Sequence, residues 1–215
     1  SGLVRERFLI HSFFNTIESQ QAYEAFQVAF QIPDMLFQLI ILGALSAAFI
    51  PIFTNLRKRS EEEAFYVSSV VMNILLVVFS IVAVLAFIFA EPITRWRTGA
   101  AFTSEQVAIT ANLTRIMLVA QLFFAISNFL TGVLQSFQRF IMPAIAPVLY
   151  NLGIILGTFL FAHQLGIYAA GVGVIMGAFF HMIAQLPLSW KLGFRFKLTF
   201  NIKKFGVKEM FKLCL

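Results

Sequence analysis

Charged residues are scarce in this chain of 215 residues: Asp, Glu, Lys and Arg together make up 12%, where soluble globular domains carry about 25%. Hydrophobic residues make up 60% and the mean hydropathy is +0.86, which excludes an ordinary water-soluble domain and points to a polytopic membrane protein. Cysteine is limited to Cys214, so no internal disulfide is available, and its simplest reading is an incidental apolar side chain. The histidines, His11, His163 and His181, are scattered, and no serine stands in a Gly-x-Ser-x-Gly turn. No nucleophile-and-base set can be assembled, so the chain is not read as an enzyme. A Walker motif is also missing, which excludes an ATP site of that type. His181 and Gln185 lie one helical turn apart, but glutamine is a poor partner for a metal-binding histidine. His181 is therefore expected to be packed or hydrogen-bonded, with no metal and no cofactor. Two tryptophans and four tyrosines stand against 27 phenylalanines; the aromatic girdles of an outer-membrane barrel are not there, and the phenylalanines suit a lipid-facing helical surface.

Long apolar runs are what the chain has in abundance. A spanning helix needs about 20 predominantly apolar residues. The runs 22–53, 65–90, 107–134, 143–162 and 166–190 satisfy that, and 1–17 reads as the tail of one more. The predicted fold class is all-α, a single polytopic transmembrane bundle of about six helices over the whole chain. The charged run NLRKRSEEEA is read as a solvated loop, 93–105 as an aqueous loop with an interfacial Trp96, and QSFQRFIMP as a turn. Beyond the last run, 194–209 mixes Phe200, Ile202, Phe205 and Val207 with Lys203, Lys204 and Lys208, the pattern of an amphipathic segment on the cytoplasmic membrane surface, and 210–215 opens another apolar stretch. With Ser1-Gly2 at its start and Leu215 inside that stretch, the chain is expected to be a piece of a longer one.

Basic residues divide unevenly between the two ends of the bundle. Arg57, Lys58, Arg59, Arg139, Lys191, Arg195 and Lys197 fall on one side, and only Arg95 and Arg97 in the loops of the other. The richer side should be cytoplasmic, together with the N-terminus, and the net charge of +6 is read as topology and anionic-lipid contact, not as a nucleic-acid footprint.

Polar groups at membrane depth mark candidate function. The run from Glu24 to Ile52 carries Glu24, Asp34 and three glutamines, which a helix facing only lipid would not tolerate. Pro33 before Asp34 removes a backbone donor and loosens the helix locally, and Gly43 to Ala48 supplies small residues for close packing. Arg115 lies deep in the 107–134 run, where an unpaired arginine costs at least ~2.5 kcal/mol. Two readings stay open for it: an ion pair with Glu24 or Asp34 that holds helices together, or an anion contact in a central cavity. Arg5 allows the same two.

The stretch AFQVAFQIPDMLFQLIILGALSAAFIPIF resembles the second helix of the MurJ (MviN) family of lipid II flippases, within the MOP exporter superfamily. GVLQSFQRFIMPAIAPVLYNLGIILG is similar to that family's junction between the fourth and fifth helices, GVGVIMGAFFHMIAQLPLSWKLGFRF to its sixth helix and the loop after it, and Arg5-Glu6 to the end of its first-helix motif. The resemblance implies the N-terminal lobe of a two-lobed fold in the bacterial inner membrane. It also implies alternating-access transport of the undecaprenyl-diphosphate-linked peptidoglycan precursor, lipid II, for cell-wall synthesis and cell shape. The partners it implies are that precursor, membrane lipids and a C-terminal lobe of the same chain. Residue by residue, it carries Arg5 and Glu24 into the substrate cavity, where Arg115 would join them, and it gives Arg139 a gate or structural role. Pro33, Asp34, Gly43, Pro143 and Asn151 are the other gate or structural positions. Many members carry a basic pair where Phe37 and Gln38 stand here, and an acidic residue at Leu42, so charge is withdrawn from this helix and it is expected to act more as a moving gate than as the diphosphate contact. A polysaccharide or multidrug exporter of the same superfamily, and a non-transporting membrane scaffold, are the alternatives.

Overall fold

The computed structural model describes residues 2–13, 17–39 and 49–201. Eight α-helices are found in them: α1 (Gly2–Phe13), α2 (Ile17–Phe37), α3 (Phe49–Arg59), α4 (Glu61–Ile88), α5 (Ala90–Thr98), α6 (Ser104–Ser136), α7 (Ile141–Leu165) and α8 (Tyr168–Lys191). Four of them, α4, α6, α7 and α8, are long and apolar enough to cross a membrane, because only a helix satisfies its own backbone in lipid. The described parts of the run expected to span 22–53 fall in α2 and α3; α2 continues into π-type hydrogen bonding at Gln38 and Leu39. Gly43, the packing run through Ala48, Leu42, Cys214 and the stretch 210–215 lie outside the described residues.

α6 is the central post. It packs on α2, on α4 and most extensively on α8, while α7 and α8 form the largest pairing in the bundle. Glycine explains the latter. A Cβ placed on Gly157 would come within 2.5 Å of the Gly173 backbone, one on Gly173 within 2.7 Å of the Ile154 carbonyl oxygen, and Gly153 and Gly177 meet backbone to backbone in the same way. Such small-residue contacts are how helices associate where water supplies no driving force.

The α6–α8 contact is polar instead. The Ser127 hydroxyl lies 2.6 Å from His181 Nδ1, Gln185 Nε2 donates to Ser127 Oγ at 2.8 Å, and Thr131 Oγ1 donates to Gln185 Oε1 at 2.8 Å. His181 is thus the hydrogen-bonded side chain its surroundings require, with the Phe124 ring edge-on at 5.4 Å. At the end of the bundle where α3 meets α4, aromatic rings pack together among aliphatic neighbours such as Val67, Leu130 and Val133: Phe49 on Phe129 at 4.8 Å, Phe53 on Phe65 at 5.9 Å, and Phe65 stacked on Phe137 at 6.1 Å. Arg57 closes this cluster, its guanidinium 4.0 Å from the Phe137 ring centre.

Two connecting segments differ from expectation. NLRKRSEEEA is not a solvated loop. Only Ser60 separates α3 from α4, its hydroxyl accepting from the Glu63 amide at 3.3 Å. The basic triplet Arg57–Arg59 closes the last turn of α3 and Glu61–Glu63 opens the first turn of α4, each sign at the helix end whose dipole it complements. Residues 93–105 are not all loop either. Glu91 and Pro92 end the apolar run yet begin a new helix, α5, since proline in a first turn gives up an amide that had no partner. Beyond α8 the described part of 194–209 forms no helix, and Arg195 to Leu198 and Phe200 are exposed. Phe194 is buried against Phe65, and the Asn73 side-chain amide, 2% exposed in the middle of α4, donates to the Lys197 and Thr199 carbonyls at 2.8 and 2.9 Å. A buried asparagine needs acceptors, and this backbone supplies them. Residues 202–209 lie outside the described residues.

Candidate functional site

The charged cavity of the described bundle lies between α1 and α2, floored by α7 and α8. It encloses about 230 Å³ and is lined by Arg5, Glu6, Leu9, Tyr23, Phe26, Gln27, Phe30, Gln31, Ile154 and Val174. α2 contributes Tyr23, Gln27 and Gln31 at helical spacing, so three polar side chains share one face. α1 contributes Arg5 and Glu6 from its first turns.

The arginine is incompletely satisfied. Its side chain is 27% exposed and its Nη2 lies 4.0 Å from the Glu6 carboxylate, a loose pair. Its Nε is buried and has no hydrogen-bond partner. Glu6 in turn accepts from the Tyr23 hydroxyl at 3.5 Å. One turn before Ile154 on α7, the Tyr150 hydroxyl is also buried without a partner. Donors left over in a polar hollow are what an anionic, hydroxyl-rich group would satisfy.

A sequence model described as lipid II flippase MurJ matches residues 15–215. The chain belongs to the MurJ lipid II flippase family. It is 32% identical over 196 residues to the lipid II flippase MurJ of Burkholderia cenocepacia, a match covering 87% of this chain and 36% of that protein. With the probable lipid II flippase MurJ of Borreliella burgdorferi it shares 28% over 181 residues, covering 84% and 35%. A solved structure of lipid II flippase MurJ in an inward closed conformation matches in fold with a TM-score of 0.74 at 22% identity, covering 98% of this chain and 44% of that one. The chain therefore spans less than half the length of these MurJ proteins.

The three residues expected in a substrate cavity are not all found around this hollow. Arg5 lines it; Arg115 and Glu24 do not. Among the described residues Arg115 makes no ion pair with Glu24 or Asp34. Its Nε donates to the Phe87 carbonyl at 3.1 Å and its Nη1 to Asn112 Oδ1 at 2.8 Å, with the Phe87 ring 5.7 Å away. Phe87 lies in the last turn of α4, where helix carbonyls lack intrahelical donors and the dipole is negative. The cation is therefore served by backbone, without a carboxylate. Glu24 is exposed and borders a separate hollow with Tyr23, Gln27, Val28 and Phe102.

The gate or structural positions are spread along the fold. Pro33 is buried within α2, and Asp34 accepts from Gln38 Nε2 at 2.7 Å. Arg139 is exposed in the turn between α6 and α7, its amide bonded to the Leu134 carbonyl at 2.9 Å beside Gln138 at φ 56. Pro143 falls in the first turn of α7, and buried Asn151 donates to the Pro147 carbonyl at 2.7 Å. Sequence reading passed over Tyr23, Gln27 and Gln31 as lining residues of this hollow. The glutamines had been counted as polar, and their spacing with Tyr23 was the available signal.

Proposed function

We propose that the parent protein moves lipid II across the cytoplasmic membrane by alternating access, and that this chain supplies its N-terminal lobe. Family membership supports the reading. The observation that carries it for these residues is the Arg5 cavity: a buried guanidinium nitrogen without a partner, next to Glu6, Tyr23, Gln27 and Gln31. In a low-dielectric surround such a cation attracts a diphosphate strongly, and the amide and phenol groups suit sugar hydroxyls. Glu6 holds Arg5 only loosely, so the arginine can change partner at small cost. The lipid tail remains in the bilayer throughout.

The proposed orientation places the N-terminus, the α3–α4 and α6–α7 junctions and the end of α8 in the cytoplasm, with α5 on the opposite side. α2, with Pro33 and the π-type turn at Gln38, is the proposed moving element.

The test is outward delivery of precursor by the full-length parent carrying Arg5→Ala, read as accessibility at the outer leaflet. Losing a charge-assisted contact of about 1.5–3 kcal/mol lowers delivery roughly ten- to hundredfold. Delivery unchanged at equal membrane abundance would remove Arg5 from the mechanism.

A further inference from the structure

On the side of α2 away from the Arg5 cavity lies a second, larger hollow, a groove of about 850 Å³ between the second half of α2, the end of α4 and α5. At about 100° per residue, its α2 residues Ile32, Met35, Leu36 and Leu39 point nearly opposite to Tyr23, Phe26, Gln27 and Phe30, so α2 walls the groove off from the cavity. Its lining is apolar except at one place. There Trp96, 85% exposed, and Arg97 form the rim.

The charge at that rim is uneven. Arg95 is paired with Glu91 at 3.2 Å. Arg97 instead donates to the neutral Gln31 amide oxygen at 3.1 Å, so its charge is uncompensated by any carboxylate among the described residues. A tryptophan and a free cation above an aliphatic slot match the layers of a phospholipid: headgroup phosphate, interface, acyl chain.

We infer that this groove is a binding site for a diacyl anionic phospholipid, its phosphate on Arg97 and an acyl chain between α2 and α4. A lipid-linked precursor offers similar chemistry, but the wall formed by α2 separates this groove from the cavity assigned to the precursor's headgroup. The phospholipid site rests only on the groove and stands whether or not the Arg5 cavity takes lipid II. Arg97 also reaches the cavity wall through Gln31, so a phosphate that engages Arg97 competes with Gln31 for it.

Trp96 is its own reporter, because the chain has only two tryptophans and Trp190 is remote at the end of α8. The chain carrying Trp190→Phe, reconstituted in vesicles, is titrated with acyl-brominated phosphatidylglycerol or phosphatidylcholine. Phosphatidylglycerol should quench Trp96 with an apparent affinity about fivefold higher, the gain one arginine near the surface provides. Arg97→Gln should abolish that preference and Arg95→Gln should keep it. Equal quenching by both lipids, or a preference lost equally in the Arg95 variant, would reduce the groove to ordinary annular lipid. Relief of quenching by undecaprenyl phosphate at lower concentration than by unbrominated phosphatidylglycerol would assign the groove to the polyprenyl chain and overturn the inference.

Discussion

At the scale of single residues, two arginines that allowed the same two readings have opposite circumstances. Arg5 keeps a buried nitrogen unsatisfied, whereas Arg115 has a carbonyl and an amide oxygen in place. Replacing Arg115 by alanine should therefore cost stability of about 1 kcal/mol, seen as a lower midpoint of thermal unfolding in detergent. Delivery of precursor by the parent should fall far less than with Arg5→Ala. A loss of delivery equal to that of Arg5→Ala, at unchanged midpoint, would return Arg115 to the cavity. The partner of Arg115 was not legible in the sequence, because a backbone carbonyl 28 residues away carries no residue-type signal. Arg5 was legible because the side chain beside it, Glu6, is part of a motif.

At the scale of elements, the glycines of α7 and α8 set the closest approach in the bundle. Gly177→Ala gains up to about 1 kcal/mol in helix propensity but drives a methyl into the Tyr150 carbonyl. Overpacking of about 1–3 kcal/mol outweighs that gain, so the variant should unfold at lower temperature. Gly2→Ala, with nothing within 4 Å, should not. Ser60 is the sole hinge residue between α3 and α4, and Ser60→Ala should cost about 1 kcal/mol through the lost cap, while Ser60→Asp should retain stability in the same unfolding measurement. Hydropathy made the apolar runs of α4, α6, α7 and α8 readable. It gave no warning of α5 or of the tight α3–α4 junction, where the informative pattern was a serine three residues before Glu63, inside a run whose density of charge suggested a loop.

For the whole molecule, α6, α7 and α8 are joined by backbone contact and by the Ser127, His181, Gln185 and Thr131 bonds, an arrangement suited to moving as one body. α2 packs Tyr23, Phe26 and Ala29 on that body against Leu113 and Met117, with Thr114 Oγ1 donating to the Ala29 carbonyl at 3.5 Å, and it carries the proline. Such a division into a rigid block and a helix beside it fits the motion alternating access demands. The stretch after α8 reads as an amphipathic surface layer, and most of its described side chains are exposed. It is tied to α4 at Asn73, one of the buried polar residues of that apolar helix, whose amide donates to two of its carbonyls.

That contact should be directly measurable. Asn73→Ala removes both bonds to the 194–201 strand, each worth about 1 kcal/mol, and trypsin should then cut at Arg195 or Lys197 faster at unchanged overall fold; an unaltered cutting rate would mean that buried Phe194 and the Tyr66–Thr199 bond hold the segment. Pinning this strand to α4 also shortens a tether. Eight residues, 194–201, could reach about 26 Å if extended freely from α8. Tied down, they contribute none of that slack, and whatever follows Asn201 takes its origin from α4. A force transmitted along the chain from a second lobe would pull on the flank of the bundle and not on the end of its last helix.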